Sequence, residues 1–289
     1  MARELKQGDR VGVIAGGGLL PLNVVQSLTG AGHEPFVVMI DGEAGLEPAL
    51  RNGPHALVPI EKFARIMPIL RSNRVTHVVM AGAVTRRPQW SRVEWSWPLV
   101  KLLAAAVPAL ARGDDGLLRA IVGQFEKAGF TIVGPHEFVP DLVAREGAMT
   151  RVKPDDTAKA DIDAAKAAAL AVGALDIGQG AVSVGGRVIA VEGIEGTEAL
   201  LLRVKELRAH PRLAGRAGGV LVKCAKPGQE LRADLPGIGT RTVEAAHAAG
   251  LKGIAVEAGR TFIVDFDSAV KRADELGLFI VGFQVGAPR

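Results

Sequence analysis

Three short apolar runs, each stopped by glycine, restrict this chain to very few folds. They are Val11–Ala15, halted by Gly16-Gly17-Gly18; Phe36–Ile40, halted by Asp41-Gly42; and His77–Ala81, halted by Gly82. A run of apolar residues without polar alternation is a strand buried on both faces, which a parallel sheet covered by helices provides. The intervening segments, residues 19–28 and 61–71, carry apolar residues at helical spacing. A further helix over 117–128 and a strand over 130–133 extend the pattern. Alternating strand and helix predicts a parallel sheet with right-handed crossovers, a Rossmann-like α/β layer. Ligands on such sheets sit beyond the carboxyl ends of the strands. Those ends carry Gly16, Gly17 and Gly18, then Asp41, then residues 82–87 with Arg86 and Arg87.

The pattern changes in the second half. Asp155-Asp156-Thr157 is suited to cap a helix over residues 158–172. Beyond Leu175, short β runs at 181–184, 188–191 and 219–223 are separated by glycine turns, with a short helix over 242–249. Runs at 254–256 and 261–264 read as strands joined by a turn at Ala258-Gly259. The expected organisation is an N-terminal Rossmann-like domain (1–145), a linker (146–160), and a C-terminal α+β domain with short strands (161–289).

Composition removes several functional classes. The 289 residues are 48% hydrophobic and 23% charged, values of a folded globular chain. A single cysteine, Cys224, permits no intrachain disulfide and fits a reducing cytoplasm. The polar start of the chain lacks the apolar core of a signal peptide. No apolar stretch reaches the roughly 20 residues a bilayer span needs. The net charge of +4 comes without a basic run or a nucleic-acid signature, so the expected partners are anionic small molecules or a membrane face. All tryptophans (Trp90, Trp95, Trp97) fall beside Arg86, Arg87 and Arg92, ahead of an apolar stretch over 99–111. That cluster suits a membrane–water interface, a greasy ligand tunnel or a homodimer contact.

The chemistry concentrates between residues 191 and 242. Glu192, Glu195 and Glu198 recur every third residue in what reads as a glycine-containing loop. Carboxylates so close repel one another unless a cation, Mg²⁺ or a lysine, sits among them. Lys223 and Lys226 follow, flanking Cys224 and Ala225, and then come Pro227-Gly228-Gln229, Arg232 and Asp234. If residues 231–235 are extended, Arg232 and Asp234 share a face. Oxygen ligands for a hard cation beside lysines and arginines for oxyanions point to chemistry on a phosphate ester or anhydride. The Gly16–Gly18 turn, between a strand and a helix, could cradle phosphate on its N–H groups, or could answer only to packing. It has neither dinucleotide nor Walker spacing. Ala225 occupies a place where a carboxylate would be an apt metal ligand or base.

Ile14-Ala15-Gly16-Gly17-Gly18-Leu19-Leu20-Pro21, Gly113-Asp114-Asp115, Asp176-Ile177-Gly178-Gln179, Val191-Glu192-Gly193-Ile194-Glu195-Gly196-Thr197 and Lys226-Pro227-Gly228-Gln229, in that order, resemble the LpxI family. The resemblance implies Mg²⁺-dependent hydrolysis of UDP-2,3-diacylglucosamine to UMP and 2,3-diacylglucosamine 1-phosphate (lipid X), in lipid A biosynthesis of Gram-negative bacteria. Water is directed at the sugar-side phosphorus, with substrate held between two domains. The implied location is cytoplasmic, peripheral on the inner face of the inner membrane. In this reading Glu192, Glu195, Glu198 and Asp234 hold metal or position water. Lys223, Lys226, Arg232 and Arg86 meet the diphosphate, and Gln179 and Thr197 orient groups by hydrogen bonding. Glu230 and Glu198 stand where the family is expected to carry aspartate. The alternative is a module that binds a nucleotide-sugar or phospholipid without turnover.

Overall fold

The computed structural model describes residues 4–44, 48–86, 89, 91, 93, 114–213 and 215–286. Arg87, Trp90, Arg92, Trp95, Trp97 and the apolar stretch 99–111 lie outside the described residues. The chain divides into two compact units, Met1–Pro140 with Glu230–Asp234, and Asp141–Gln229 with Leu235–Arg289.

In the first unit, β1 (Val11–Ala15), β2 (Phe36–Ile40), β3 (His55–Val58), β4 (His77–Ala81) and β5 (Thr131–Val133) form a parallel sheet in the order β3-β2-β1-β4-β5. Helices α1 (Leu20–Gly30), α2 (Ile66–Ser72) and α3 (Asp114–Lys127) accompany it. Side chains alternate across β1 and β2: Ile14 and Val38 pack with Ile66, Leu70 and Phe125, while Ala15, Val37 and Met39 pack with Leu50. Strand order reverses between β1 and β4, so the crevice such sheets use for ligands opens past Ala15 and Ala81. β3 had no counterpart in the sequence reading. It is the edge strand, and three of its four residues are at least partly exposed.

The second unit holds a mixed sheet in the order β6-β13-β11-β9-β7-β8. Its strands are β6 (Gly147–Ala148), β7 (Gly180–Val184), β8 (Arg187–Val191), β9 (Val220–Lys223), β11 (Gly253–Glu257) and β13 (Phe279–Phe283). A separate parallel pair joins β10 (Gly237–Ile238) to β12 (Phe262–Ile263). Helix α4 (Asp156–Ala174) covers one face through Ala165 and Ala169 against Ala181, Val222, Cys224 and Phe279. Helices α5 (Gly196–Leu207), α6 (Thr240–Ala248) and α7 (Phe266–Glu275) cover the other with Leu200, Leu201, Val204, Val243 and Ala269. Asp155 caps α4 as its sequence suggests, its Oδ1 accepting from the Ala158 N–H at 2.8 Å.

Three local expectations are corrected. The acidic stretch at 192–198 is not all loop, because α5 begins at Gly196 and places Glu198 in its first turn, where an acid suits the helix dipole. Residues 231–235 are not extended: Ala233 and Asp234 N–H groups both donate to Glu230 O, making a turn. β11 and β12, read as neighbours across a turn, belong to different sheets.

Candidate active site

At the carboxyl end of the first unit's sheet, the loops after β1 and β4 are stitched together. The Gly16 N–H donates to Ala81 O (2.8 Å), Gly17 N–H to Ala83 O (2.7 Å) and Ala83 N–H to Gly17 O (3.1 Å). A Cβ on Gly16 would lie 2.5 Å from Ala83 O, and one on Gly82 would lie 2.5 Å from Gly17 O. Close backbone contact therefore demands Gly16 and Gly82, and two of the three glycine N–H groups are spent on it. Gly18 differs: its φ is +89° and a Cβ there would meet nothing within 4 Å. Arg86 is fixed by carboxylates from neighbouring loops. Its N–H and that of Thr85 donate to Glu43 Oε1 (2.6 and 2.7 Å), and its guanidinium reaches buried Glu61 at 3.3 Å.

The turn Glu230–Asp234 also belongs to the first unit. Arg232 is held on both sides, by Glu230 (2.8 and 2.7 Å) and by Glu126 (2.7 Å), and these carboxylates raise its pKa further above the ordinary arginine value. Arg232 in turn lowers the pKa of Glu230. Buried Asp115 accepts from the Glu230 N–H at 2.9 Å and pairs with Arg119. Arg232 is thus engaged in a structural ion-pair network, and Asp234 is exposed on the same turn.

In the second unit, topology converges charged groups. β9, β11 and β13 are mutually parallel; β7 opposes β9 and β8 opposes β7, so β8 runs with β9. Lys223 at the end of β9, Glu192 just past β8 and Glu257 at the end of β11 therefore arrive at one edge. Lys223 Nζ donates to Thr197 Oγ1 at 2.6 Å, and Thr197 Oγ1 donates to Glu192 Oε1 at 2.7 Å. The lysine and glutamate side chains, 5% and 7% exposed, stand 3.9 Å apart. Glu192 Oε2 is buried with no hydrogen-bond partner. Gly178 and Gly180 admit this glutamate, since a Cβ on Gly180 would fall 2.6 Å from Oε2 and one on Gly178 2.1 Å from Glu192 O.

The opposite face of the same edge holds a second group. Lys226 Nζ pairs with Asp176 Oδ1 at 2.5 Å, and its N–H donates to Gln229 Oε1 at 2.9 Å. Gln179 O accepts from the Cys224 N–H, while Gln179 Oε1 is buried without a partner. Ala225 is buried, and its N–H donates to Glu257 Oε2 at 2.9 Å. Burial first, and then Glu257, push the Cys224 thiol up to about 12, so it is no reactive thiolate.

Glu195 and Glu198 do not join Glu192. Glu195 pairs with Arg203 at 2.9 Å and Glu198 with Arg241 at 2.7 Å. Each of the three has a cationic side chain of its own beside it: Lys223 for Glu192, Arg203 for Glu195 and Arg241 for Glu198. Among the described residues no three His, Cys, Asp or Glu side chains gather as a metal site. Asp115 entered the sequence reading only as part of the Gly113-Asp114-Asp115 motif, and Glu257, Glu43 and Glu61 did not enter it as site residues. The signal available for Glu257 was a lone acid ending an apolar run; Glu43 and Glu61 had none.

Together these features define an α/β protein of two units with a buried lysine–threonine–glutamate chain at the carboxyl edge of its mixed sheet. Family models narrow that class: the LpxI N-terminal domain matches residues 10–142 and the LpxI C-terminal domain residues 145–281. The chain belongs to the LpxI family. A relative from Caulobacter vibrioides, named UDP-2,3-diacylglucosamine pyrophosphatase LpxI, is 42% identical over 274 residues, 94% of this chain and 97% of the relative. A solved structure from Methylobacillus flagellatus, assigned to the NAD-dependent epimerase/dehydratases, aligns over 97% of this chain and 85% of its own. Its TM-score of 0.26 and identity of 14% carry no argument.

Proposed function

We propose that the chain hydrolyses UDP-2,3-diacylglucosamine to UMP and 2,3-diacylglucosamine 1-phosphate, a step of lipid A biosynthesis. Family membership and the name of the 42% identical relative support the substrate. The observation that carries the reading at the level of residues is the Lys223–Thr197–Glu192 chain, with one glutamate oxygen buried and unpartnered. A buried acceptor left without a donor costs about 1–3 kcal/mol, and a site that tolerates it is suited to a cation or a ligand donor.

Mg²⁺ suits this set, because it commonly takes one or two protein carboxylates and completes its shell with water and substrate phosphate. Glu192 would hold it through Oε2; Glu195 and Glu198, each paired with an arginine, would shape the start of α5. When bound, the ion would neutralise charge on the diphosphate oxygens as the leaving group departs. Lys223 and Lys226 bind the diphosphate from the two faces of the edge, and Thr197 fixes the direction of the Lys223 ammonium. Gln179 offers a buried acceptor to a substrate hydroxyl or N–H. Gly18 and the start of α1 receive the nucleotide, with Arg86 nearby on the same sheet end. Asp234, exposed on its turn, directs the attacking water. A substrate with two acyl chains implies peripheral attachment to the inner face of the inner membrane. Among the described residues, no helix is long and apolar enough to cross it.

The test is product analysis by phosphorus NMR and mass spectrometry in ¹⁸O-water. UMP and the sugar 1-phosphate should form in equal amounts, with the label in the sugar phosphate. Activity should vanish with chelator and return with Mg²⁺. Binding without release of UMP under any divalent cation would refute the enzyme and leave the binding module.

A further inference from the structure

Asp176 adopts a left-handed backbone conformation, φ +55°, between α4 and β7. For an L-residue this conformation is strained and persists where its surroundings impose it. What it secures is the ammonium of Lys226, 2.5 Å from Asp176 Oδ1, with both side chains more than four-fifths buried. Two further devices fix the same loop. The Gln229 side chain takes the Lys226 N–H. On α4, Gly173 leaves room for the loop, since a Cβ there would lie 3.2 Å from Pro227 Cδ and 3.4 Å from Lys226 Cα. Asp176 Oδ2 remains buried without a partner. A strained aspartate, a glycine and a glutamine thus converge on one lysine.

We infer that Asp176 is a positioning residue, which holds the Lys226 ammonium in the direction of the substrate diphosphate. The inference rests on the proposed role of Lys226 in diphosphate binding. Asp176→Asn tests it cleanly, because asparagine keeps the size and is among the residues most at ease at positive φ. The variant keeps the shape of the loop but should melt several degrees lower, because the buried Lys226 ammonium loses its counter-charge, so activity is read at a temperature where circular dichroism shows the variant folded. Its kcat/KM should fall tenfold or more, and its affinity for UDP, read by calorimetry, at least threefold. Asp176→Glu, which restores the charge, should recover part of both. In a Lys226→Met background, Asp176→Asn should change kcat/KM by less than twofold, since a residue acting through Lys226 has nothing left to position.

An Asp176→Asn variant within twofold of the native chain would overturn the inference. So would losses that multiply with those of Lys226→Met, or activity that falls only in step with lost fold. Should the native chain bind UDP without releasing UMP from the substrate, the hydrolytic reading fails, and the affinity arm alone decides for Asp176. A native chain that neither binds nor cleaves sinks both.

Discussion

Replacing Lys223 by methionine should unfold the second unit far more readily than a surface change would. The substitution keeps the side-chain volume but removes the cation beside Glu192, leaving a buried carboxylate that still accepts from the Thr197 hydroxyl. At 3.9 Å and an effective dielectric of about 20, the pair attracts by about 4 kcal/mol. Removing one partner of a buried pair typically costs about 3–5 kcal/mol, because the other charge stays behind desolvated. The melting temperature should fall by on the order of 10 °C, and the urea midpoint should move with it. Removing both charges is the internal control: Lys223→Met with Glu192→Gln eliminates the stranded carboxylate and should recover more than half of the loss. Circular dichroism during thermal and urea unfolding at neutral pH reads all three proteins. A single variant within about 1 kcal/mol of the native chain, or a double variant less stable than the single, would show that Lys223 and Glu192 are not a buried pair. The placement of the site would fall with them.

Other outcomes follow from the same geometry. Gly16→Ala should destabilise the first unit by about 1–3 kcal/mol, because backbone must move to admit the new Cβ. Gly18→Ala meets open space, so it should cost about 1 kcal/mol from backbone strain alone; equal losses would contradict the stitched loops. Cys224 should resist alkylation at pH 8 until the chain is unfolded. Its thiol is raised to about 12 in the fold, whereas an unfolded thiol ionises near 8.5. The folded state therefore keeps a proton that the unfolded state releases, and stability should decline as pH rises from about 9 toward 12. Cys224→Ser should flatten that slope, and a slope unchanged by it would assign the decline to other groups.

Much of the fold was legible because central parallel strands leave an unmistakable record. β1 and β2 are buried at every position, so their apolar runs could be read without neighbours. β3 hid because an edge strand with exposed His55 and Leu57 lacks that record. α5 was readable in principle from Leu200, Leu201 and Val204, yet Gly193 and Gly196 drew attention to a loop. The chemical types at the site were legible, but their pairing was not. Glutamates spaced by three look like one metal cluster in sequence, and only the path of α5 and α6 decides that Arg203 takes Glu195 and Arg241 takes Glu198. Glu192 alone turns inward, because Gly178 and Gly180 leave it space and Thr197 meets it from the start of α5. The glycines nearest the acids therefore say more about which carboxylate enters the site than the acids say themselves. If that logic holds, Gly180→Ala should cost activity through Glu192 even though Gly180 carries no reactive group. Substrate turnover beside a thermal melt would check it: activity lost well beyond the lost stability supports it, and full activity refutes it.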